Sequence, residues 1–144
     1  MRALLDVNIV IALLDPAHSL HHKAHAWWDN HAALGWASCP ISENGVVRIM
    51  AGSSYSSQTH FSAAEIVHLL ETFASKSDHE FWPDDISLRD EKIFSMDRVL
   101  RSHQLTDLYL LALAANHHGR LVTFDQGISL SSVRIAKPEN LLIL

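Results

Sequence analysis

The amino-acid sequence predicts an α/β fold in which a mostly parallel central sheet is flanked by helices. Short apolar segments without alternation, such as "ALL" at 3–5 and "RLVTF" at 120–124, are typical of strands that are buried on both faces. Longer segments with helical spacing separate these strands, and one of them opens with a capping box at Ser62 and Glu65. Strands that alternate with helices along the chain favour a parallel sheet.

The first part of the chain contains two predicted strands and three predicted helices. Pro16 ends the first helix, because the residue before a proline avoids the helical conformation. The apolar residues of 20–32 lie on one stripe, which is the pattern of an amphipathic helix. Pro40 closes the second strand. In chain order we predict a strand at 3–5, a helix at 7–15, a helix at 20–32, a strand at 35–39 and a helix at 41–51.

The remainder of the chain continues the same alternation. The clearest helix is "TDLYLLALAANHHG", in which we expect Thr106 to be the N-cap and Gly119 to end the helix. The final "LLIL" is short and apolar, and it is expected to form an edge strand. In chain order we predict a loop at 52–60, a helix at 62–75, a strand at 79–82, a short helix at 96–101, a helix at 106–119, a strand at 120–124 and a strand at 141–144.

Length and composition favour a single globular domain over residues 1–144. Hydrophobic residues make up 48% of the chain and charged residues 19%, which is enough apolar surface to form a core. Cys39 is the only cysteine, which fits a reducing cytoplasm. No apolar segment is long enough to span a membrane. The net charge of −5 argues against a broad basic nucleic-acid surface, but it allows nucleic acid to bind through metal ions.

Four carboxylates are placed where they could meet at one edge of the sheet. Asp6 follows the first strand, Glu43 lies just after the second, Asp107 lies at a helix N-terminus, and Asp125 follows "RLVTF". Ligands of open α/β sheets bind outside the carboxyl ends of the strands. Each acid alone also has an ordinary explanation, since a helix dipole favours Asp107 and turn chemistry favours Asp125. The four together indicate a functional site.

Divalent cations would resolve the repulsion among these acids. Mg²⁺ and Mn²⁺ prefer oxygen ligands, and sites of this kind activate water and stabilise the leaving oxygen in phosphodiester hydrolysis. This explains why Asp6 interrupts the apolar segment "LLDVNIVIALL", and Asn8 lies close enough to support the ion or its water. The pattern leaves open whether one or two ions bind.

The segments "LLDVNIVIALLD", "SENGVVRI" and "QLTDLYLLALAANHHGRLVTFD" resemble the PIN-domain ribonucleases, and specifically the VapC-type toxins of bacterial toxin–antitoxin pairs. The resemblance covers nearly the whole chain, and its most specific part is "TD" opening an apolar helix that is followed by "TFD". It implies a PIN domain and a metal-dependent endoribonuclease that uses Mg²⁺ or Mn²⁺. It also implies an RNA substrate and a small cognate antitoxin that holds the enzyme inactive.

Carried over position by position, the resemblance assigns roles to individual residues. It makes Asp6, Glu43, Asp107 and Asp125 the catalytic, metal-binding acids. Asn8, Thr106 and Thr123 correspond to supporting polar positions. Some members of the family have a further acid near "DQGIS" that this chain lacks, which leaves the ligands of a second ion open. We further expect a homodimer.

Three other functions were compared with this interpretation. A phospho-accepting receiver domain, suggested by "AKP" at 136–138, needs paired acids after its first strand, whereas "LLDVN" offers one. A haloacid-dehalogenase phosphatase needs an acid two residues after the first, where Asn8 stands. A catalytically silent PIN fold that acts as a binding partner in a repressor complex is the remaining alternative, and the complete acid set disfavours it.

Several other side chains have both a functional and an ordinary explanation. A face of histidines could bind a metal ion or could be a solvated helix face; it comprises His18, His21, His22 and His25. The four tryptophans favour core or dimer contacts over RNA stacking. Arg48, Arg98 and Arg101 could guide phosphate groups or could form surface ion pairs.

Overall fold

The computed structural model describes all 144 residues and contains a five-stranded sheet in which every pair of neighbours is parallel. The predicted α/β class is confirmed. The strands are β1 Ala3–Leu5, β2 Trp36–Ser38, β3 His79–Phe81, β4 Arg120–Thr123 and β5 Leu141–Ile143. Their order in the sheet is β3-β2-β1-β4-β5, so the C-terminal strand lies at an edge as predicted.

Five α-helices cover the two faces of this sheet. They are α1 Val7–Leu14, α2 His21–His31, α3 Pro40–Met50, α4 Ala63–Ser75 and α5 Leu105–Asn116. One apolar cluster of 14 residues is built largely from α1 and its neighbours, and a second of 14 is built largely from α5. Because the sheet lies between two apolar layers, its central strands are apolar without alternation. None of the helices is both long and apolar enough to span a membrane.

The strand order reverses between β1 and β4, which are neighbours at the centre of the sheet. Leu5 of β1 is paired with Val122 of β4, so the residues that follow these two positions emerge side by side. Such a switch point leaves a crevice at the carboxyl ends of the strands, because the chains that leave the two strands turn to opposite faces. The fold therefore places Asp6 near the residues that follow Thr123.

Helix α3 packs closely on the start of α1 because residue 45 is glycine. A Cβ atom at Gly45 would lie 2.7 Å from Cγ2 of Val7, which is closer than two carbon atoms can approach. The absence of a side chain at this position lets α3 pack beside the residue that follows Asp6. Gly45, which weakens the helix locally, thus brings α3 to the crevice.

Four local predictions differ from the structure in detail. Helix α5 begins at Leu105 after a 3₁₀ turn, and Thr106 lies inside its first turn rather than at the N-cap. The helix ends at Asn116, and Gly119 is required for packing, since a Cβ there would lie 2.9 Å from the carbonyl oxygen of Arg2. Pro40 begins α3, as proline commonly does, rather than only closing β2. The segment at 96–101 forms one 3₁₀ turn, Met96–Arg98.

The histidine face is part of the helix packing. Nδ1 of His21 is 2.7 Å from the carbonyl oxygen of Ala12, and Nε2 of His25 is 3.0 Å from that of Leu13. These rings satisfy carbonyl groups at the end of α1 that have no partner within the helix. No group of three histidine, cysteine or acidic side chains is close enough to hold a metal ion here. Of the tryptophans, Trp36 and Trp82 are buried.

Candidate active site

A cleft of about 580 Å³ opens at the switch point between β1 and β4. Three of the four predicted acids, Asp6, Asp107 and Asp125, line it. Asn8 and Thr106, which the sequence indicated as supporting polar residues, line the same cleft. Asp6 and Asp125 follow the parallel strands β1 and β4, whereas Asp107 reaches the cleft from the first turn of α5.

Asp6 is held rigidly at the floor of the cleft. Its side chain is only 6% exposed, and the residue ends β1 and caps α1. One carboxylate oxygen accepts the Val7 N–H at 2.7 Å, and the other accepts the Thr123 hydroxyl at 2.7 Å. Burial raises the pKa of Asp6, the two hydrogen bonds oppose this, and the charge of Asp125 raises it further. The carboxylate has a fixed orientation before any ligand arrives.

Thr123 connects two of the acids. It is fully buried at the end of β4, and its hydroxyl donates to Asp6. The same oxygen accepts the backbone N–H of Asp125 at 3.0 Å. The Asp125 side chain in turn accepts the Gly127 N–H at 2.7 Å, which folds the turn that follows. The supporting role predicted for Thr123 therefore has a physical basis, since it fixes the spacing of Asp6 and Asp125.

Asp107 has the most perturbed acidity in the cleft. Its pKa is raised to about 7, first by burial, then by the charge of Asp6 and by the hydrogen bond and charge of Asp125. Burial and the neighbouring carboxylates of Asp6 and Asp125 therefore disfavour the charged form of Asp107. In this arrangement no three acidic, histidine or cysteine side chains are close enough to hold a metal ion.

Glu43 does not line this cleft, contrary to the expectation that four carboxylates would meet. Its carboxylate accepts the Ser38 hydroxyl at 2.6 Å, and His79 Nε2 lies 2.7 Å from the same hydroxyl. Glu43 and His79 instead line a separate cavity between α3 and α4. Successive residues on a helix point about 100° apart, so Glu43 lines only the α3–α4 cavity, whereas Asn44 lines that cavity and also reaches the cleft.

Three polar residues line the cleft without having been placed there from the sequence: Asn44, Arg48 and Asp84. Asn44 and Arg48 are four residues apart on α3, which puts them on one face of the helix. Asp84 follows β3, so the strand-end rule that found Asp6 could have found it too. One Asp84 oxygen accepts the Ile41 N–H at 3.2 Å, at the N-terminus of α3.

The cleft is chemically suited to hard cations. Its carboxylate, hydroxyl and amide groups offer oxygen ligands, and neither histidine nor cysteine lines it. Cys39, which lies below Asp84, is buried, and burial raises the pKa of its thiol to about 11. The arrangement therefore favours hydrolysis by water over a reaction through a covalent enzyme intermediate.

Comparison with known proteins shows the family of the chain. The family model of the PIN domain matches residues 3–133. The chain belongs to the PIN-domain family. It is 44% identical to Ribonuclease VapC44 of Mycobacterium tuberculosis over 144 residues, which is the full length of both chains. It is 41% identical to Ribonuclease VapC39 of the same organism, over 90% of this chain and 92% of that protein.

A solved structure also shares the PIN fold. It is the crystal structure of VapBC2 from Rickettsia felis bound to a DNA fragment from their promoter. The TM-score is 0.55 at 17% sequence identity, and the match covers 87% of this chain and 89% of that one. The resemblance to VapC-type PIN ribonucleases that the sequence motifs suggested is confirmed by the two mycobacterial relatives.

Proposed function

We propose that this PIN-domain protein is a metal-dependent endoribonuclease and the toxin of a toxin–antitoxin pair. The observation that carries the proposal is the convergence of Asp6, Asp107 and Asp125 in one cleft at the switch point of the sheet. The relatives named as ribonucleases support it. The alternative of a catalytically silent PIN fold is disfavoured because three of the predicted acids are present together in the cleft.

The donor groups of the cleft suit a divalent cation, although its three aspartates would have to move closer together to share one ion. Asp6, Asp107 and Asp125 supply carboxylate oxygens, and Asn8 and Thr106 add neutral oxygens at the same opening. Burial, together with neighbouring carboxylates, raises the pKa values of Asp6 and Asp107, and a bound cation would offset this effect. When bound, Mg²⁺ or Mn²⁺ would activate water and stabilise charge on the phosphodiester.

The protein's own groups then have distinct tasks. Asp6 is oriented in advance by Val7 and Thr123, so it loses little freedom when it binds a ligand. Burial and the charges of Asp6 and Asp125 raise the pKa of Asp107, and a bound cation would favour its charged form. No side chain in the cleft is positioned as a separate general base.

We propose that the enzyme cuts one or a few structured RNAs rather than bulk RNA. The protein has a net charge of −5, so it has little general attraction for phosphate backbones. Selectivity in RNA recognition commonly depends on loops and unpaired bases. A small antitoxin is proposed as the protein partner, in keeping with the VapC-type relatives. The homodimer stays a prediction.

The function is tested by incubating the purified protein with total bacterial RNA and sequencing the new RNA ends. We expect ends at a few defined positions with Mg²⁺ or Mn²⁺ and none with EDTA, because the ligands are all oxygen atoms. An Asp125→Asn sample prepared in parallel reports contaminating nuclease. Undiminished cleavage in EDTA would reject the metal mechanism, and ends scattered over most transcripts would reject the specificity.

The placement of Glu43 gives a separate prediction. Glu43→Gln should keep cleavage within about threefold of wild type. Glu43 does not line the cleft, so removing its charge removes no interaction with the transition state. Glutamine can still accept the Ser38 hydroxyl, so the fold should be retained. Cleavage rates measured beside Asp125→Asn decide the matter. A loss as large as that of Asp125→Asn would mean that Glu43 turns towards the cleft during catalysis.

A further inference from the structure

Of the three arginines that the sequence offered as phosphate guides, one lines the acidic cleft. Arg48 on α3 is the only lysine or arginine in its lining. Arg98 instead lines a different cavity together with Arg134. The side chain of Arg48 is exposed, and its guanidinium has no carboxylate within ion-pair distance. An arginine beside several aspartates that forms no ion pair with them is available to bind an anion.

The packing of α3 determines where this guanidinium lies. Asn44 and Arg48 are one helical turn apart and line the same cleft. Gly45, between them in sequence, allows α3 to approach Val7, the residue next to Asp6. Asn44 and Arg48 thus line the α3 side of the cleft, with Asp107 and Asp125 contributed by other elements.

We propose that Arg48 binds a phosphate of the RNA strand adjacent to the phosphate that is cleaved, and that Asn44 assists it as a hydrogen-bond donor. This inference rests on the proposed function. A guanidinium pairs with phosphate through two parallel hydrogen bonds, which fixes orientation as well as position. Since the protein is acidic overall, one well-placed cation at the cleft would contribute much of the attraction for the strand. Arg48 is therefore a positioning residue.

The first experiment measures RNA binding without cleavage. The parent protein carries Asp6→Asn, and the probe is a fluorescently labelled, mixed-sequence RNA hairpin followed by anisotropy in Mg²⁺ at several KCl concentrations. Arg48→Ala should weaken binding about tenfold and reduce the salt slope by about 0.7–0.9, the value for one phosphate contact. Arg48→Lys should restore part of the affinity, because it keeps the charge but loses the paired geometry.

Lys76→Ala is the matched control. Lys76 is an exposed cation that directly follows α4. It lies close in sequence to Asp78, whose carbonyl oxygen accepts the Trp36 N–H at the start of β2. The start of β2 is at the end of the sheet opposite the cleft. Removing it changes the net charge by the same amount as Arg48→Ala does. We expect the affinity and the salt slope of Lys76→Ala to equal those of the parent. Equal losses of RNA affinity in the two variants would mean that Arg48 acts only through the net charge of the protein, and this would overturn the proposal.

The second experiment separates positioning from structural support. In the otherwise wild-type enzyme, Arg48→Ala should raise KM about tenfold and change kcat by less than about threefold, the pattern of a lost binding contact. The rise in melting temperature on adding Mn²⁺ should be kept. Loss of that rise would mean that Arg48 supports the aspartates, and unchanged RNA binding would assign it to a protein partner. If wild-type protein cleaves no RNA, the proposed function fails, whereas the hairpin measurement still decides the role of Arg48.

Discussion

Asp6→Asn should reduce RNA cleavage by at least about a hundredfold while the protein stays folded. The substitution removes the charge of the most buried carboxylate in the cleft. Loss of a residue that merely orients a metal ligand already costs about 10–100-fold, so loss of a ligand's charge should cost more. Initial rates of cleavage of an RNA that the wild type cuts, measured at saturating Mn²⁺, give the factor directly.

Folding of this variant is expected because asparagine keeps the capping hydrogen bond, while its Nδ2 replaces only the oxygen that accepts the Thr123 hydroxyl. Its side-chain oxygen can accept the Val7 N–H and remains a good N-cap for α1. Asp29→Asn is the matched control, since Asp29 is an exposed acid on α2 outside the cleft. Circular dichroism should be unchanged in both variants. Cleavage by folded Asp6→Asn within a few-fold of the control would remove Asp6 from the catalytic site.

The sequence predicted those parts of the site that depend on strand ends. Asp6 directly follows a strand, and Asp125 follows one within two residues, so any parallel pairing of β1 with β4 brings them together. The predicted convergence of Asp6 and Asp125 holds even when a strand bound is wrong by one residue. The prediction of the α/β class was equally secure, because strands that are buried on both faces are apolar without alternation.

The helical positions required finer information than the sequence contains. Glu43 and Asn44 are adjacent and both line the cavity between α3 and α4, yet only Asn44 also reaches the acidic cleft, because each residue rotates the helix by about 100°. The face that α3 turns to the cleft depends on the contact of Gly45 with Val7, which is a tertiary contact. The resemblance to the family indicated Glu43 as a site residue, whereas the packing of α3 places the neighbouring Asn44 in the cleft.

The start of α5 shows a similar limit. Thr106 is a good capping residue, but a 3₁₀ turn at Ser102–Gln104 extends the helical path and places Thr106 inside the first turn. Boundaries of this kind differ by a residue or two even between methods of assignment. The error does not affect the site, because Thr106 and Asp107 line the cleft from the first turn as they would have from the cap.

Asp107→Asn should raise the melting temperature of the metal-free protein and reduce the stabilisation by Mn²⁺. The pKa of Asp107 is raised to about 7, so the charged form is disfavoured in the folded protein by burial and by Asp6 and Asp125. Asparagine removes this penalty and fits a first helical turn. Each kcal/mol relieved corresponds to about 2–8 °C in a domain of this general size.

The pH dependence gives this prediction a definite sign. A carboxyl group with a raised pKa stabilises the fold fully below its unfolded value of 3.8, and that stability is lost as the pH rises through about 7. The advantage of Asp107→Asn over wild type should therefore be largest above pH 7 and should vanish towards pH 4. Thermal unfolding at several pH values, with EDTA present, measures it.

Added Mn²⁺ should act in the opposite direction on the same variant. A ligand stabilises the folded protein by RT ln(1 + [L]/Kd), and loss of one anionic ligand increases Kd, so the Mn²⁺-induced shift should shrink. Asp97→Asn is the control, because Asp97 is an exposed acid in a helical first turn outside the cleft. A lower metal-free melting temperature combined with an intact Mn²⁺ shift would make Asp107 a structural first-turn residue, and only Asp6 and Asp125 would then remain as carboxylate ligands.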